Sequence, residues 1–444
     1  MPSIDDLLNT ISDFKCVVNG KEIVFPGILQ KENGDIILNA RVPLEEYRKL
    51  NNGSDIVVLG EVSGEKVTLV GCYVKPASWI IEKNDISIYA VPNEIIVGGC
   101  ISATPMAKRI SISTPDLNYM FSGTSPLKPN VGFSKDNPSV LNFTFPEPIA
   151  ALDKYGKIQI YQTFGTQWAT DFYKYNIISI IDYSFTDPLP VMKAVDKVSA
   201  VRKLFSFFGN GYISLGDITF EIDGGENVYG LWLNNRENVP VVHEPFLIGT
   251  SAFGDQFQKV WDAWLGLYET ANPIPSLFYE IICNRSTRIN EFLNLSQAIE
   301  VYSNAFRNSQ AKEIAKNDPD NKSKHKEIKL IHRYQDILKE YNGAIGLDKS
   351  NISDYAKGLS NMRNYFTHYN SEKYVEPTYD ELFAARHILR FVVLTIVYTA
   401  IGIPLECVLE CKKGLFSAAS MMMLTLYCIT LKRKSDKKEL PDFI

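Results

Sequence analysis

Two hydrophobic periods divide the chain. From about residue 14 to 235, apolar and polar positions alternate in short runs such as KEIVFPGIL, DIILNARVP, DIVVLGEV, KVTLVGCYV, KIQIYQTF, ISIIDYSF and VYGLWLN. Gly, Asn, Asp or Pro stands in nearly every gap. A period of two bounded by turn residues marks half-buried strands, and many short strands at this density predict a sandwich-like domain or a distorted barrel. Two segments break the alternation as helical insertions. They are residues 44–50 and residues 191–208, the latter amphipathic through Val195, Val198, Val201, Leu204, Phe205 and Phe208.

After VPVVHEPFLIG the period lengthens to 3.6. Helices are predicted over 255–272, ending before Pro273, then over 288–308. The polar stretch KNDPDNKSKHK leads to further helices over 327–343, 353–370, 379–401 and 415–431. The change of period near residues 236–245 gives an α+β chain: a β-rich N-terminal domain over 1–238 and an α-helical domain over 239–444. Essentially no sheet is expected beyond residue 250, and no internal repeat is visible.

A length of 444 residues exceeds one ordinary core, in keeping with two domains. Charge adds a restriction. Residues 240–444 hold 25 Lys and Arg against 24 Asp and Glu, and residues 1–239 hold 21 against 27. This balance announces no general nucleic-acid affinity, so any such binding must come from local basic clusters. The seven cysteines are odd in number, scattered and free of CxxC, which argues against a disulfide framework and a zinc site. The N-terminal MPSIDDLLNTISDF lacks the basic start and apolar core of a signal peptide, so a cytoplasmic location is expected. Residues 414–431 are uncharged and precede KRKSDKK, the length of a short membrane helix. Ser417, Ser420, Thr425 and Thr430 interrupt them, and a buried helix is the simpler reading, with no membrane partner.

Candidate chemistry concentrates in LSNMRNYFTHYN, residues 359–370. At about 100° per residue, Leu359, Met362, Tyr365, Phe366 and Tyr369 form one apolar stripe, while Arg363, Asn364, Thr367 and His368 fall on the opposite face. That phase argues against a core role for His368. Asn364 is placed one turn before His368, where an amide can orient an imidazole. Arg363 lies about 140° from His368 on an ideal helix, so the two meet only if the helix ends or bends, or if a second copy completes the site. An arginine forks a phosphate and a histidine moves protons near neutral pH. Those groups suffice for metal-free cleavage of RNA by its own 2′-hydroxyl.

The other histidines are less telling. His243 reads as a linker contact and His387 as a helix-packing residue. His325 and His332 lack a third ligand for a metal, and their surroundings, KSKHKEIKLIHR, read as a solvated charge run or a basic face for RNA phosphates. No Walker loop, Ser-His-Asp set or paired-carboxylate set is readable, so no cofactor and no metal ligand is assigned. IDGGENVYG reads as a hairpin turn.

The R-x4-H spacing with Asn directly after the Arg resembles the HEPN superfamily of ribonucleases. FLNLSQAIEVYSNAFR, followed some sixty residues later by LSNMRNYFTHYN, resembles its ApeA-like branch, which pairs a "qalE-y" helix with a later "RN-x3-H" helix. FPGILQKENGDIILNARVP and GLWLN are similar to the β-rich domain that precedes the HEPN domain in ApeA-type phage-defence proteins. One departure is Tyr369, where the family often has a small residue. The resemblance implies a metal-independent endoribonuclease of anti-phage abortive infection, with RNA, tRNA among the candidates, as substrate. It implies a homodimer formed through the HEPN domain and a phage-derived trigger at the β-rich sensor domain. Arg363 would hold the scissile phosphate, His368 would act as general base or acid, and Asn364 would orient. Glu300, in the "qalE" position, would hold Arg363 or a backbone group, or be purely structural. The alternative is a non-catalytic module whose β-domain binds a ligand or phage protein and whose helices dimerise.

Overall fold

The structure is a computed structural model that describes residues 4–18, 21–50, 56–77, 84–99, 105–121, 130–131, 141–142, 145–169, 172–222, 228–233, 247–282, 287–321, 327–370, 372–415 and 422–431. It divides into two compact units. The first comprises residues 1–118, 127–199 and 214–240, and the second residues 119–126, 200–213 and 241–444.

The first unit is β-rich. Its opening strands are β1 (Ile11–Val18), β2 (Lys21–Glu32), β3 (Asp35–Pro43), β4 (Ile56–Val62), β5 (Glu65–Pro76) and β6 (Asp85–Val91). They pair antiparallel in the order β5-β4-β1-β2-β3-β6, and β6 pairs back onto β5, closing a six-stranded barrel. Two tight turns set the hairpin registers. Asn33 and Gly34 (φ 53° and 93°) join β2 to β3, and Ser63 and Gly64 (φ 54° and 83°) join β4 to β5. Paired positive φ is the turn whose twist matches that of the strands it joins. Alternate residues then point inward, among them Phe14, Phe25, Leu29, Leu38, Val58, Leu69 and Ile88.

Closure depends on β5. Its residues 67–70 pair with β7 (Glu94–Val97), while residues 73–76 pair with β6. Between these halves Gly71 has φ +63°, and a Cβ there would lie 2.7 Å from the Asn93 side chain. Gly60, opposite Phe14 in register, has another role. Its missing Cβ leaves room for the Phe14 ring, two atoms of which would lie 2.6 Å away. Gly60→Val is expected to destabilise this unit by about 1–3 kcal/mol through overpacking. An unchanged denaturation midpoint would refute that.

From β7 the sheet runs on through β15 (Val228–Leu233), β14 (Ile218–Ile222), β8 (Met106–Ser113), β13 (Phe172–Pro190) and β12 (Gly156–Ala169) to β11 (Ile149–Asp153). A separate pair joins β9 (Asn130–Val131) and β10 (Leu141–Asn142). The alternation thus takes the barrel form, extended by an open sheet. The β14–β15 register agrees with a hairpin at IDGGENVYG, whose turn residues 223–227 lie outside the described residues. Helix α1 (Leu44–Leu50) adds Tyr47 and Leu50 to the barrel core.

Helix α2 (Val191–Gly209) departs from the expected insertion. Its residues from Ala200 onward belong to the second unit. There Phe207 stacks on Phe278 and Phe208 on Phe253, and Tyr398 donates to the Phe207 carbonyl. The remaining helices are α3 (Phe257–Thr270), α4 (Pro273–Ile282), α5 (Arg288–Phe306), α6 (Asn308–Asn317), α7 (Leu330–Glu340), α8 (Asn342–Ile345), α9 (Ile352–His368), α10 (Tyr379–Ala400), α11 (Leu405–Leu415) and α12 (Met422–Leu431). Among the described residues no strand follows Leu233. Of the expected helix over 415–431, residues 416–421 lie outside the described residues. Pro273 does not merely end α3; it opens α4, at the first helical position where a missing N–H is harmless.

Helix α10 is long and apolar enough to cross a membrane, yet 72% of its apolar window is buried within the unit, as befits a core helix. It packs on α5, which in turn packs on α4, α7 and α9.

Candidate functional site

Helix α9 follows its apolar period. Leu359 and Met362 are fully buried, Tyr365 and Phe366 nearly so. On its other side Arg363 and Asn364 are half-buried and His368 is exposed. The expected stripe fails at its last member: Tyr369 is 64% exposed. The helix ends at His368, and Tyr369 adopts a left-handed conformation (φ 48°, ψ 36°), its exposed ring still touching Tyr365 and Phe366 at centroid distances of 5.9 and 6.5 Å. This φ gives a physical reason for a small residue at that place, because a Cβ is costly there. Tyr369→Gly is therefore expected to stabilise the chain by about 0.5–1 kcal/mol, net of glycine's greater freedom when unfolded. A lower melting temperature would contradict this.

Past Tyr369 the chain folds back. Asn370 accepts the backbone N–H of Lys373 with its side chain and that of Tyr374 with its carbonyl. Asn361, also on α9, donates to the Val375 carbonyl, which Tyr427 of α12 caps as well. This anchoring sets the Tyr374 ring nearly parallel to His368, with centroids 6.1 Å apart and planes 22° off. Among the described residues, no hydrogen bond reaches the imidazole.

Arg363 faces the neighbouring helices instead. Its Nη1 donates to Asn364 Oδ1 at 3.4 Å, and its Nη2 lies 3.9 Å from Glu300 Oε2 on α5. Within one chain the structure thus brings Arg363, Asn364 and Glu300 together, and leaves His368 one turn beyond with Tyr374. The Asn364 amide is turned to Arg363 and not to the imidazole. Tyr334 of α7 lies fully buried nearby. Burial pushes its phenol well above the ordinary range, while the positive charge of Arg363 pulls the other way.

Two residues that sequence reasoning did not single out join this face. Arg333 of α7 donates to Ser303 Oγ at 3.2 Å and to Asn308 Oδ1 at 3.5 Å, and Tyr374 stacks on the histidine. A helical wheel of 330–340 would have set Arg333 apart from its buried neighbours. Nothing local in the sequence marks Tyr374, because a loop outside the helix places it.

Residues 322–326 of KSKHKEIKLIHR lie outside the described residues, and His332 takes itself out of the expected basic face. It is fully buried. Its Nδ1 accepts the Lys329 backbone N–H, and its Nε2 donates to Asp318 Oδ2 at 2.9 Å, holding that carboxyl below its usual range. A ring with both nitrogens so engaged caps a helix and ties down a loop; it cannot meet RNA. His325 and His243 lie outside the described residues. His387, half-buried, rests on Phe383 at 4.4 Å, a packing contact.

Comparison with known families covers both units. Residues 293–407 match the Apea-like HEPN model, and residues 12–264 match the model of ApeA N-terminal domain 1. The chain belongs to the ApeA family. Its HEPN match contains Glu300, Arg363, Asn364 and His368. Membership in the ApeA family points to anti-phage defence, and HEPN domains are generally nucleases. Among curated proteins none matches the chain. Among solved structures, the apo state of K. pneumonia MrkH aligns over 44% of this chain and 88% of that one, at 11% identity and a TM-score of 0.16. That likeness is too slight to carry any argument.

Proposed function

We propose that this ApeA-family chain is a metal-independent endoribonuclease of anti-phage defence, working in the cytoplasm as a homodimer. The observation that supports this most is the composition of one short surface. Half-buried Arg363 and Asn364 and exposed His368 lie on the last two turns of α9 away from its apolar stripe, which is locked into the helical unit. A rigid helix presenting a planar cation and an accessible imidazole is suited to a phosphodiester with a neighbouring 2′-hydroxyl.

In this reading the 2′-oxygen attacks phosphorus and His368 takes its proton. The P–O5′ bond breaks, the leaving oxygen gains a proton, and the products are a 2′,3′-cyclic phosphate and a 5′-hydroxyl. Arg363 pairs with the non-bridging oxygens, whose charge grows in the transition state. A two-fold partner would bring a second histidine to the same cleft, so that one serves as base and the other as acid. It would also supply a hydrogen-bond partner for the imidazole, which has none among the described residues. The β-rich unit is assigned the sensor role, with a phage-derived trigger.

Purified full-length protein, with trigger-exposed cells as a second source, is to be incubated with total RNA in EDTA and the ends analysed. Cyclic phosphate ends are expected, and a 2′-deoxy scissile position should be inert. RNA left intact from both sources, together with a stable dimer that captures a phage protein, would favour the non-catalytic module.

A further inference from the structure

The surroundings of Arg333 carry a charge imbalance. This arginine is half-buried on α7, and burial lowers its pKa. Its hydrogen bonds go to two neutral acceptors, Ser303 and Asn308. Among the described residues no carboxylate lies within ion-pair distance, and Glu300 supplies the one charge that acts on it from farther off. Glu300 is already engaged with Arg363 from the other flanking helix. Glu300 and Ser303 stand three apart on α5, so both guanidiniums approach one face of that helix, from α7 and from α9. Two cations share one carboxylate, leaving a net charge of one positive. A partly desolvated cation without a counter-ion is costly, and an arriving anion of one charge would relieve it.

We propose that Arg333 is a second phosphate-binding arginine, which grips the RNA backbone next to the phosphate held by Arg363. The proposal rests on the ribonuclease reading above and names a residue that the R-x4-H pattern does not contain. Arg333 is assigned to binding, not to the chemical step, since it lies on a different helix from His368. A phosphodiester carries the single negative charge this face lacks. The guanidinium fork can keep one N–H on Ser303 while presenting others outward.

The test uses full-length protein carrying His368→Ala, so that a fluorescein-labelled RNA of mixed sequence stays intact. Its affinity is measured by anisotropy across a salt series, with and without Arg333→Gln, which keeps a donor for Ser303 but removes the charge. Arg333→Gln is expected to weaken binding about tenfold or more. It should also reduce the slope of log affinity against log salt by about 0.7, the value of one lost contact to a single strand. Arg333→Lys should keep the slope while recovering only part of the affinity. In otherwise wild-type enzyme, Arg333→Gln should raise KM and leave kcat near normal. Unchanged affinity and slope in a folded Arg333→Gln protein would overturn the proposal while leaving the ribonuclease reading intact. Wild-type protein that neither binds nor cleaves RNA would remove both.

Discussion

Alanine at His368 is expected to lower single-turnover RNA cleavage by about 10²–10⁴-fold, the usual return of positioned acid–base catalysis. Alanine at Arg363 is expected to cost about 10²–10³-fold, as loss of one charge-stabilising donor does elsewhere. Lysine at 363 should recover little, because it lacks the planar fork that pairs with two phosphate oxygens. Neither substitution should change the melting temperature appreciably. His368 is exposed and among the described residues makes the loose Tyr374 contact, and the Arg363 side chain is 32% exposed with a long ion pair. Mixing the two alanine variants adds a test of geometry. If a site takes its arginine from one copy and its histidine from the other, the mixed dimer holds one intact site and regains part of the activity. Cleavage retained at wild-type rate by His368→Ala would end the mechanism. A mixture as inactive as its components would mean either that each site lies within one chain or that the cleft needs the histidines of both copies.

The unevenness of what the sequence disclosed has physical causes. Strand and helix periods were plain because burial is periodic, as in the buried stripe Leu359–Met362–Phe366. Barrel closure was not, since it turns on β5 changing partners at Gly71, and pairing between distant strands leaves no local mark. Helix α4 was hidden by its two prolines, which read as breakers although Pro273 sits where a helix tolerates one. The second half of α2 was assigned to the wrong neighbourhood because an aromatic stripe says that a face is buried and not against what. At the site, helical phase separated Arg363 and His368 from the core, and it could not foresee that the helix would stop at His368. His332 was misread because a histidine three residues into a helix can turn back and cap it, an option composition does not show.

The largest stability effect is expected at Glu291, in the first turn of α5. Its side chain is 11% exposed and ion-paired with Arg386 and, at 3.7 Å, with Arg390. Both arginines project from α10, and Arg390 also reaches Asn210. Charges taken out of water this far are tolerable only while paired, so removing one partner leaves the others uncompensated. Glu291→Ala should cost about 3–5 kcal/mol, the range for breaking a buried pair. In a unit of this size that corresponds to a drop of roughly 10 °C in melting temperature. Glu300 on the same helix provides the contrast. Its side chain is 37% exposed and its contact with Arg363 is 3.9 Å long, so Glu300→Ala should cost less than about 1 kcal/mol. The two carboxylates thus separate by role: one holds α5 to α10, and the other stands open beside Arg363 and Arg333. Chemical denaturation of both variants decides the matter. Equal destabilisation would mean that Glu300 belongs to the scaffold, and the net positive charge assigned to its face would no longer be free for RNA.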